Sequence, residues 1–539
     1  MTLAFANCQL NPDSRELARD GEQVSIEPKT LDLLIYLINN RDRAIGKDEL
    51  QDEVWGTIVS DAALTRAVMK VRKAVGDDVK TAAIIKTVPR YGYRFVAHIK
   101  YGSTPVKIGP PERKGIAVLP FDNMSGDPEN EYFSDGIAEE ILNLLAKLPA
   151  LRVASRTSSF AFRGTQKTAK EIAAALDVDI LLEGSVRKAG NRVRITMQLI
   201  DAEDDAHIWS EIYDRELTDI FDVQAEIAKE VVSAITRGEA GDIRVYEATN
   251  SPQAYDFYLR GRQKFHEYDR GNQHLAREMF QRAIEADPNF AKAWAGLANS
   301  SCLLYMWWEA SEEHLRTADE ASQRALDLGA DLAESHTARG FTLSLLKDFD
   351  GAVVEFEQAL KLDPLLWEAW YLYARACYAA GEMNKAADLF QQAAEARPDD
   401  YQALSLAASA YLKIEEKEKS HACARKQIKR AEAHLALNPG DTRAWGLGAC
   451  NLDEIGEHER GEEWINKMLQ LAPDDVPVLH MAACFYGARG DVENAIQFLE
   501  RRFEAGDAYL DWINNDTDFD CVRDDPRFKA MLEKQQIRK

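Results

Sequence analysis

Prolines recur at a fixed interval in the C-terminal half of this 539-residue chain. The interval from Pro364 to Pro398 equals the interval from Pro439 to Pro473. Six positions after each proline stands a bulky apolar residue, namely Trp370, Leu404, Trp445 and Leu479. A chain with such a period folds into stacked copies of one small unit, because each copy buries its apolar face only against its neighbours. The period therefore predicts an array of repeats.

The same rule extends toward the N terminus. Pro288 is followed by Trp294, and Ala330 with His336 fills the slot that lacks a proline. The two irregular intervals, which end at Ala330 and at Pro439, are longer and each contain a short insertion. The pattern resembles the tetratricopeptide repeat (TPR), a helix pair with a period of about 34 residues. The resemblance implies about seven helix pairs over residues 252–505, which form a superhelix with a concave inner wall, and a C-terminal cap over residues 506–539.

The inner wall of this superhelix is a candidate binding surface. Counted from the Trp370 position, it is predicted to include Lys292, Asn299, Glu368, Tyr371, Arg375, Gln402, Ser409 and Arg443. These side chains suit a protein or peptide partner, and Tyr371 and Arg375 are the candidate contacts. The alternative is that the wall packs against the middle of the same chain. The cluster at residues 305–308 is predicted to be packed, because an exposed apolar patch of that size promotes aggregation.

A basic segment stands out near the N terminus of an otherwise acidic chain. Residues 61–100 hold nine Lys and Arg against three Asp, whereas the whole chain has a net charge of −24. Apolar residues recur at helical spacing, so they are predicted to face a core; they are Leu64, Ala67, Val68, Val71 and Val75. A basic hairpin around residues 89–92 follows. A helix fits the major groove of DNA, and neutralisation of phosphates contributes much of DNA affinity.

The hairpin carries a family resemblance. Its residues 87–95, Thr-Val-Pro-Arg-Tyr-Gly-Tyr-Arg-Phe, are almost the wing motif of the OmpR/PhoB type of bacterial transcription regulator, and Val71-Arg72-Lys73 matches the end of its recognition helix. The resemblance implies a winged-helix DNA-binding domain over residues 1–100. It also implies short strands over residues 5–26 and helices over residues 30–40 and 47–55. We expect no receiver domain in front of it.

This domain supplies the predicted DNA contacts. Arg66 and Lys70 are predicted to donate hydrogen bonds to guanine O6 and N7, and Arg90 at the wing tip is predicted to enter the minor groove. Arg72, Lys73 and Thr87 are predicted to position phosphates. The full predicted set is Thr65, Arg66, Met69, Lys70, Arg72, Lys73, Thr87, Arg90 and Arg94. Alternatively, the helix presents only a solvated face, and Arg94 pairs within the domain.

Residues 101–113 contain three prolines and are predicted to form a linker. Residues 114–240 alternate strand and helix patterns, including an antiparallel meander. They resemble the small α/β module that precedes TPRs in some bacterial regulators and cyclases, similar to the N-terminal domain of the periplasmic protein TolB. The resemblance rests on residues 118–121, 132–136 and 182–187 and implies no reaction. The predicted fold class is multidomain: an α+β winged helix, a small α/β middle domain and an all-α TPR superhelix.

The sequence offers little evidence of catalysis. It lacks the phosphate-loop pattern GxxxxGK[ST], GxGxxG after a strand, and HExxH. Asp135, Glu139 and Glu140 are candidate catalytic carboxylates, but a helix start, where negative charge suits the dipole, is the favoured interpretation. Cys450 and Cys484 are separated by one repeat period and are therefore interpreted as one packed repeat position. No catalytic, cofactor or metal site is predicted.

The remaining features bear on location and function. Seven cysteines without paired spacing favour a reducing compartment, and neither a signal peptide nor a membrane span is expected. The sequence thus predicts a soluble cytoplasmic protein that binds double-stranded DNA, with possible homo-oligomers. The predicted function is a sequence-specific transcription regulator, by family habit an activator, controlled through TPR-mediated protein or peptide interaction. The alternative is a TPR scaffold whose basic N-terminal module binds an acidic protein.

Overall fold

The computed structural model describes residues 3–6, 8–11, 16–19, 22–24, 26, 28–41, 43–55, 61–77, 84–88, 91–97, 99–101, 114–148, 151–236, 249–505, 513–514 and 516–537. The chain forms two compact units, which consist of residues 1–113 and 114–539. Each unit has its own hydrophobic core, and the two are described separately below.

The described residues of the first unit form three helices and two small antiparallel sheets. Its elements are β1 (Leu3–Phe5), β2 (Cys8–Asn11), β3 (Glu16–Arg19), β4 (Glu22–Gln23), α1 (Pro28–Asn39), β5 (Ile45–Gly46), α2 (Lys47–Trp55), α3 (Asp61–Val75), β6 (Ile85–Val88), β7 (Gly92–Phe95) and β8 (Ile99–Tyr101). The sheets have the strand orders β4-β3-β2-β1-β8 and β5-β7-β6. This arrangement confirms the predicted winged-helix fold.

The core of this unit explains why its sequence folds this way. Leu64, Val68 and Val71 are fully buried, so the inward face predicted for α3 is confirmed. The rings of Phe5 and Phe95 meet edge to face with centroids 5.1 Å apart, which joins the first strand to the wing. A Cβ atom on Gly92 would lie 1.9 Å from the carbonyl oxygen of Ile45. Only glycine therefore permits β5 and β7 to pair.

The second unit begins with an α/β domain. Its elements are β9 (Lys114–Val118), β10 (Asp122–Asn123), α4 (Glu131–Ala146), β11 (Leu151–Val153), α5 (Arg156–Phe160), α6 (Ala169–Leu176), β12 (Ile180–Ala189), β13 (Arg192–Asp201), β14 (Ala206–Glu216) and α7 (Ile220–Thr236). The sheet order is β11-β9-β12-β13-β14, and β10 pairs with β12. Strands β12, β13 and β14 form the predicted antiparallel meander.

The array follows within a stretch that is described throughout. Fourteen helices form seven pairs: α8 (Pro252–His266), α9 (Arg270–Ala286), α10 (Ala291–Trp307), α11 (Glu312–Leu328), α12 (Ala333–Leu345), α13 (Phe349–Leu362), α14 (Trp367–Ala379), α15 (Met383–Ala396), α16 (Gln402–Lys413), α17 (Lys417–Leu437), α18 (Thr442–Glu454), α19 (His458–Leu471), α20 (Val476–Ala488) and α21 (Val492–Ala505). A last helix, α22 (Pro526–Ile537), packs on α21. The two insertions lengthen helices: α17 has 21 residues, whereas α15 and α19 have 14.

A hydrogen bond accounts for the six-residue spacing in the repeat pattern. The indole nitrogen of Trp370 donates to the carbonyl oxygen of Pro364 at 2.9 Å, and the Trp294 and Trp445 indoles do the same six residues after their prolines. In the slot without proline, Nε2 of His336 lies 2.9 Å from the carbonyl oxygen of Ala330. The side chain thus fixes the turn between successive helix pairs wherever a ring N–H is available.

The α/β domain and the first repeats share one hydrophobic core. Its buried residues run without a break from β9 and α4 into α8, α9 and α10. Gly136 of α4 approaches α8 so closely that a Cβ atom would lie 2.7 Å from the Leu259 side chain. The two segments that the sequence separates at residues 240–252 therefore form a single compact unit. Among the described residues, no helix combines the length and apolarity that crossing a membrane requires.

Candidate nucleic-acid interface

The outer face of α3 carries most of the predicted DNA contacts. Five of the predicted residues are exposed there: Thr65, Arg66, Met69, Lys70 and Lys73. Met69 is 57% exposed, an unusual position for a large apolar side chain on a helix whose other apolar residues are buried. No acidic residue occurs between positions 63 and 76. The face is therefore uniformly cationic with one apolar contact point.

Arg72 does not belong to this face, and the prediction that it points outward is wrong. Its side chain is only 7% exposed. Nη2 donates to the carbonyl oxygen of Ile85 at 2.8 Å and to the Thr87 hydroxyl at 3.0 Å, and Nε lies 3.5 Å from Asp77. Asp77 in turn accepts hydrogen bonds from the backbone of β6 and the residue before it. Arg72 therefore ties α3 to the wing instead of meeting phosphate.

The C-terminal end of α3 is held in place from two sides. Gly76 adopts a left-handed conformation with φ of +69°, which allows Asp77 N–H to reach back to the carbonyl oxygen of Arg72 at 2.8 Å. The guanidinium of Arg19 donates to the carbonyl oxygens of Lys73 and Ala74 at 3.0 and 3.3 Å. A cation at this end also suits the helix dipole. These contacts fix how the outer face is presented.

The wing contributes fewer described contacts. Thr87 and Arg94 are exposed, and Nε of Arg94 donates to the carbonyl oxygen of Arg41 at 3.3 Å, so the predicted alternative of pairing within the domain holds for this nitrogen. Pro89 and Arg90 lie outside the described residues, and so does the predicted minor-groove contact. The sequence analysis overlooked Tyr91, which is 53% exposed beside them. An aromatic residue in a turn between basic positions was the available signal.

The carboxylates of α4 are neither a helix start nor a catalytic pair. The helix begins at Glu131, so Asp135, Glu139 and Glu140 lie inside it, and all three are buried. Glu140 accepts a hydrogen bond from Nζ of Lys292 in the array at 3.2 Å. Asp135 pairs with Arg163 within the α/β domain. The interpretation as a helix start is therefore wrong, because these groups lie within the helix and form ion pairs.

Glu139 is the centre of this polar interface. Its carboxylate contacts Arg262 and Nε2 of His266, the latter at 2.8 Å, and Nε of Arg156 at 3.0 Å. Burial, the largest single influence, would raise the pKa of Glu139, but Arg262, His266 and Arg156 together outweigh it, and the pKa lies well below the usual range of a glutamate. Burial lowers the pKa of His266. The pairs hold the α/β domain on the first repeat.

The predicted partner contacts Tyr371 and Arg375 are not exposed. They are 7% and 8% exposed, and the Trp307 ring lies 5.7 Å from the Arg375 guanidinium carbon. The Tyr371 ring stacks on Trp367 with centroids 4.6 Å apart, and Nη2 of Arg443 donates to the Tyr371 hydroxyl at 3.0 Å. The prediction that these residues line an open groove is wrong, because both side chains are buried among these neighbours. The prediction that residues 305–308 are packed is confirmed.

One polar cluster near the C terminus was missed by the sequence analysis. His480, Cys484 and Asp516 are all buried, and one ligand-type atom from each lies within 4.8 Å of the others. His480 and Cys484 are four positions apart on α20, a spacing that places both side chains on one helical face and was visible in the sequence. The match of Cys484 to Cys450 at one repeat period had instead favoured a packed apolar position for Cys484.

Family models match three parts of this chain. Residues 21–95 match "Transcriptional regulatory protein, C terminal", residues 112–230 match "HilA/YgeH-like transcriptional regulator, second domain", and residues 345–410 match "Tetratricopeptide repeat". The middle match names a domain of a transcription regulator. The likeness to the TolB N-terminal domain stays a prediction.

Individual relatives agree with this division. The chain is 39% identical to "Putative adenylate cyclase 3" of Rhizobium meliloti over 45% of this chain and 42% of that protein. It is 22% identical to "Transcriptional regulator HilA" of Salmonella typhi over 71% and 68%, and 30% identical to "Transcriptional activator CadC" of Escherichia coli over 17% and 18%. The chain thus spans less than half the length of the first relative. It combines an OmpR/PhoB-type winged-helix domain, a HilA/YgeH-like second domain and a tetratricopeptide array.

Proposed function

We propose that this protein is a sequence-specific DNA-binding transcription regulator whose helix α3 enters the major groove. The observation that carries the proposal is the outer face of α3, where Arg66, Lys70 and Lys73 are exposed on a helix anchored in the core. The regulatory family model that matches residues 21–95 supports it. The net charge of −24 supports it as well, because a locally cationic face on an acidic protein directs DNA to that face alone.

The residues of this face divide by role. Arg66 and Lys70 donate to guanine O6 and N7, and Met69 contacts a thymine methyl group. Lys73, nearer the end of the helix, contacts phosphate and adds affinity without sequence preference. Arg94 and Tyr91 contact the backbone beside the wing, and Arg90 contacts the minor groove. Arg72 is left out of this set because its guanidinium is engaged inside the domain.

The second unit is proposed to regulate the first through protein interaction. The array already binds the α/β domain of its own chain through Lys292 with Glu140 and through Lys147 with Glu334. A protein or peptide effector is proposed to act on that interface, since the Tyr371 region is filled. Activation is proposed from the relatives described as a transcriptional regulator and an activator. No enzymatic reaction is proposed, since the cyclase name belongs to a relative covered to 42%.

The experiment measures binding of the full chain to duplex DNA. A preferred site is first selected from random duplexes, and affinity for it and for a scrambled duplex is then measured at several salt concentrations. We expect Lys70→Ala to reduce the preference for the selected site by about 1–3 kcal/mol. Lys73→Ala should weaken both duplexes alike and lower the slope of log affinity against log salt by about one.

The matched control is Lys229→Ala. Lys229 is an exposed cation on α7 of the second unit, so its removal changes the net charge equally without touching α3. Equal affinity for the selected and scrambled duplexes, unaffected by Lys70→Ala, would contradict sequence-specific binding. That result would favour the scaffold alternative, in which the cationic face binds an acidic protein.

A further inference from the structure

Three polar side chains with different functional groups lie close together inside the C-terminal end of the array. The imidazole Nε2 of His480 lies 3.8 Å from the thiol sulphur of Cys484, and that sulphur lies 4.0 Å from Oδ2 of Asp516. His480 and Asp516 are 7% and 4% exposed. An imidazole, a thiol and a carboxylate thus converge in one buried place.

These distances match the separations between ligands of a bound ion better than those of strong hydrogen bonds. In a tetrahedral zinc site with a sulphur ligand at about 2.3 Å and a nitrogen or oxygen ligand at about 2.1 Å, the two ligand atoms lie about 3.6 Å apart. The observed separations of 3.8 and 4.0 Å are only slightly longer than this. Small rotations of the side chains would therefore close the ligand set around a metal ion.

The surroundings of the cluster keep its groups in place. Nδ1 of His480 is buried without a hydrogen-bond partner, and its ring packs between Trp307 and Phe519 at centroid distances of 6.0 and 5.7 Å. The Asp516 carboxylate is held by the backbone N–H of Asp518 at 3.1 Å. Burial of polar groups without strong hydrogen bonds costs free energy. Binding of a metal ion would compensate that cost.

We propose that His480, Cys484 and Asp516 bind one divalent transition-metal ion. The mixture of imidazole nitrogen, thiolate sulphur and carboxylate oxygen in a tetrahedral arrangement favours zinc over magnesium or calcium, which prefer oxygen ligands alone. On binding, the Cys484 thiol loses its proton to solvent, so one proton is released for each ion bound.

The proposed site has a structural consequence. His480 and Cys484 belong to α20, whereas Asp516 belongs to the segment that follows the last repeat and leads into α22. The ion would link the C-terminal cap to the array. A repeat array depends on its terminal caps, because the last repeat has no further neighbour to cover its apolar face. Metal binding would therefore stabilise the C-terminal end of the superhelix.

The test uses the full chain, purified without chelators, and measures bound metal by elemental analysis. We expect close to one zinc per chain, and a loss of at least four fifths of it in Cys484→Ser and in Asp516→Asn. Cys423→Ser is the matched control, because Cys423 is another buried thiol of the array, on α17, and has no place in the cluster. It should retain the full zinc content.

A second measurement uses the wild-type chain, so its result does not depend on whether the variants fold. The wild-type chain is stripped with a chelator and titrated with Co²⁺, whose absorption reports a thiolate ligand and tetrahedral geometry. We expect one equivalent of cobalt to give a sulphur-to-cobalt band that zinc abolishes, together with a higher thermal midpoint. A folded wild-type chain with less than a tenth of an equivalent of zinc and no such band would overturn the proposal. Retention of zinc in both Cys484→Ser and Asp516→Asn would overturn it equally.

Discussion

Replacement of Arg72 by alanine tests whether this cation is a structural residue of the wing or a phosphate contact. The side chain of Arg72 is 7% exposed and that of its partner Asp77 is fully buried. Alanine removes the hydrogen bonds to Ile85 and Thr87 and leaves the Asp77 carboxylate without its guanidinium. Breaking a buried pair from one side costs about 3–5 kcal/mol. Because Asp77 keeps two backbone N–H donors, we expect a cost at the lower end, about 3 kcal/mol.

The measurement is urea unfolding of residues 1–113, a compact unit with its own core, followed by circular dichroism. With a slope of about 1.5–2 kcal/mol per molar urea, a loss of about 3 kcal/mol lowers the midpoint by about 1.5–2 M. Lys73→Ala is the control, because Lys73 is the adjacent cation and is exposed. It should change stability by less than about 0.5 kcal/mol.

DNA binding separates the two roles further. In the absence of urea, Arg72→Ala should keep the salt slope of the wild type, because no phosphate contact is removed. Lys73→Ala should lower that slope. If Arg72→Ala shifted the urea midpoint no more than Lys73→Ala and also reduced the salt slope, the structural role of Arg72 would be refuted. The result would favour a contact between Arg72 and phosphate.

Three further predictions concern other parts of the chain. Gly92→Ala should lower the stability of residues 1–113 by about 1–3 kcal/mol in urea unfolding, because its Cβ would collide with the Ile45 backbone, whereas Gly46→Ala, whose Cβ would meet its nearest neighbour at 4.0 Å, should cost less. Glu139→Gln should lower the thermal midpoint of the full chain at pH 7. Because the pKa of Glu139 is depressed in the folded state, its carboxylate stabilises the fold above the usual glutamate pKa and loses this effect as the pH falls through the folded pKa. The thermal midpoints of wild type and variant should therefore converge in acid. Equal midpoint differences at pH 7 and in acid would contradict this. Trp307→Ala should cost about 3–5 kcal/mol in chemical denaturation and admit solvent to Arg375, and unchanged stability would show that Trp307 is not packed in the inner wall.

Local sequence patterns predicted the elements of this protein well. The regular period of the prolines predicted the helix pairs because each repeat is stabilised by near neighbours, and the bond from Trp370 to Pro364 spans only six positions. The inward face of α3 followed from helical periodicity for the same reason. Such features depend on a few consecutive residues, so they form whatever the position of the helix or strand in the tertiary structure.

The fate of individual polar side chains depended on partners that lie far away in sequence. Periodicity placed Arg72 outside, yet Ile85 and Thr87, brought back by the wing, turn it inward. Tyr371 and Arg375 occupy inner-wall positions, but Trp307, two repeats earlier, packs on Arg375, which in turn lies over Tyr371.

The same holds for the groups that the sequence analysis assigned to other roles or missed. Glu139 faces Arg262 across an interface that no local pattern reveals, and Asp516 reaches Cys484 from beyond the last repeat. The sequence alone predicted the meander and the repeats from local patterns, and the winged helix from the resemblance of its wing motif, because these signals lie within short stretches of the chain. Only the tertiary structure decided which charges are buried and paired, because burying a charge requires a partner, and the fold alone decides which partner is near.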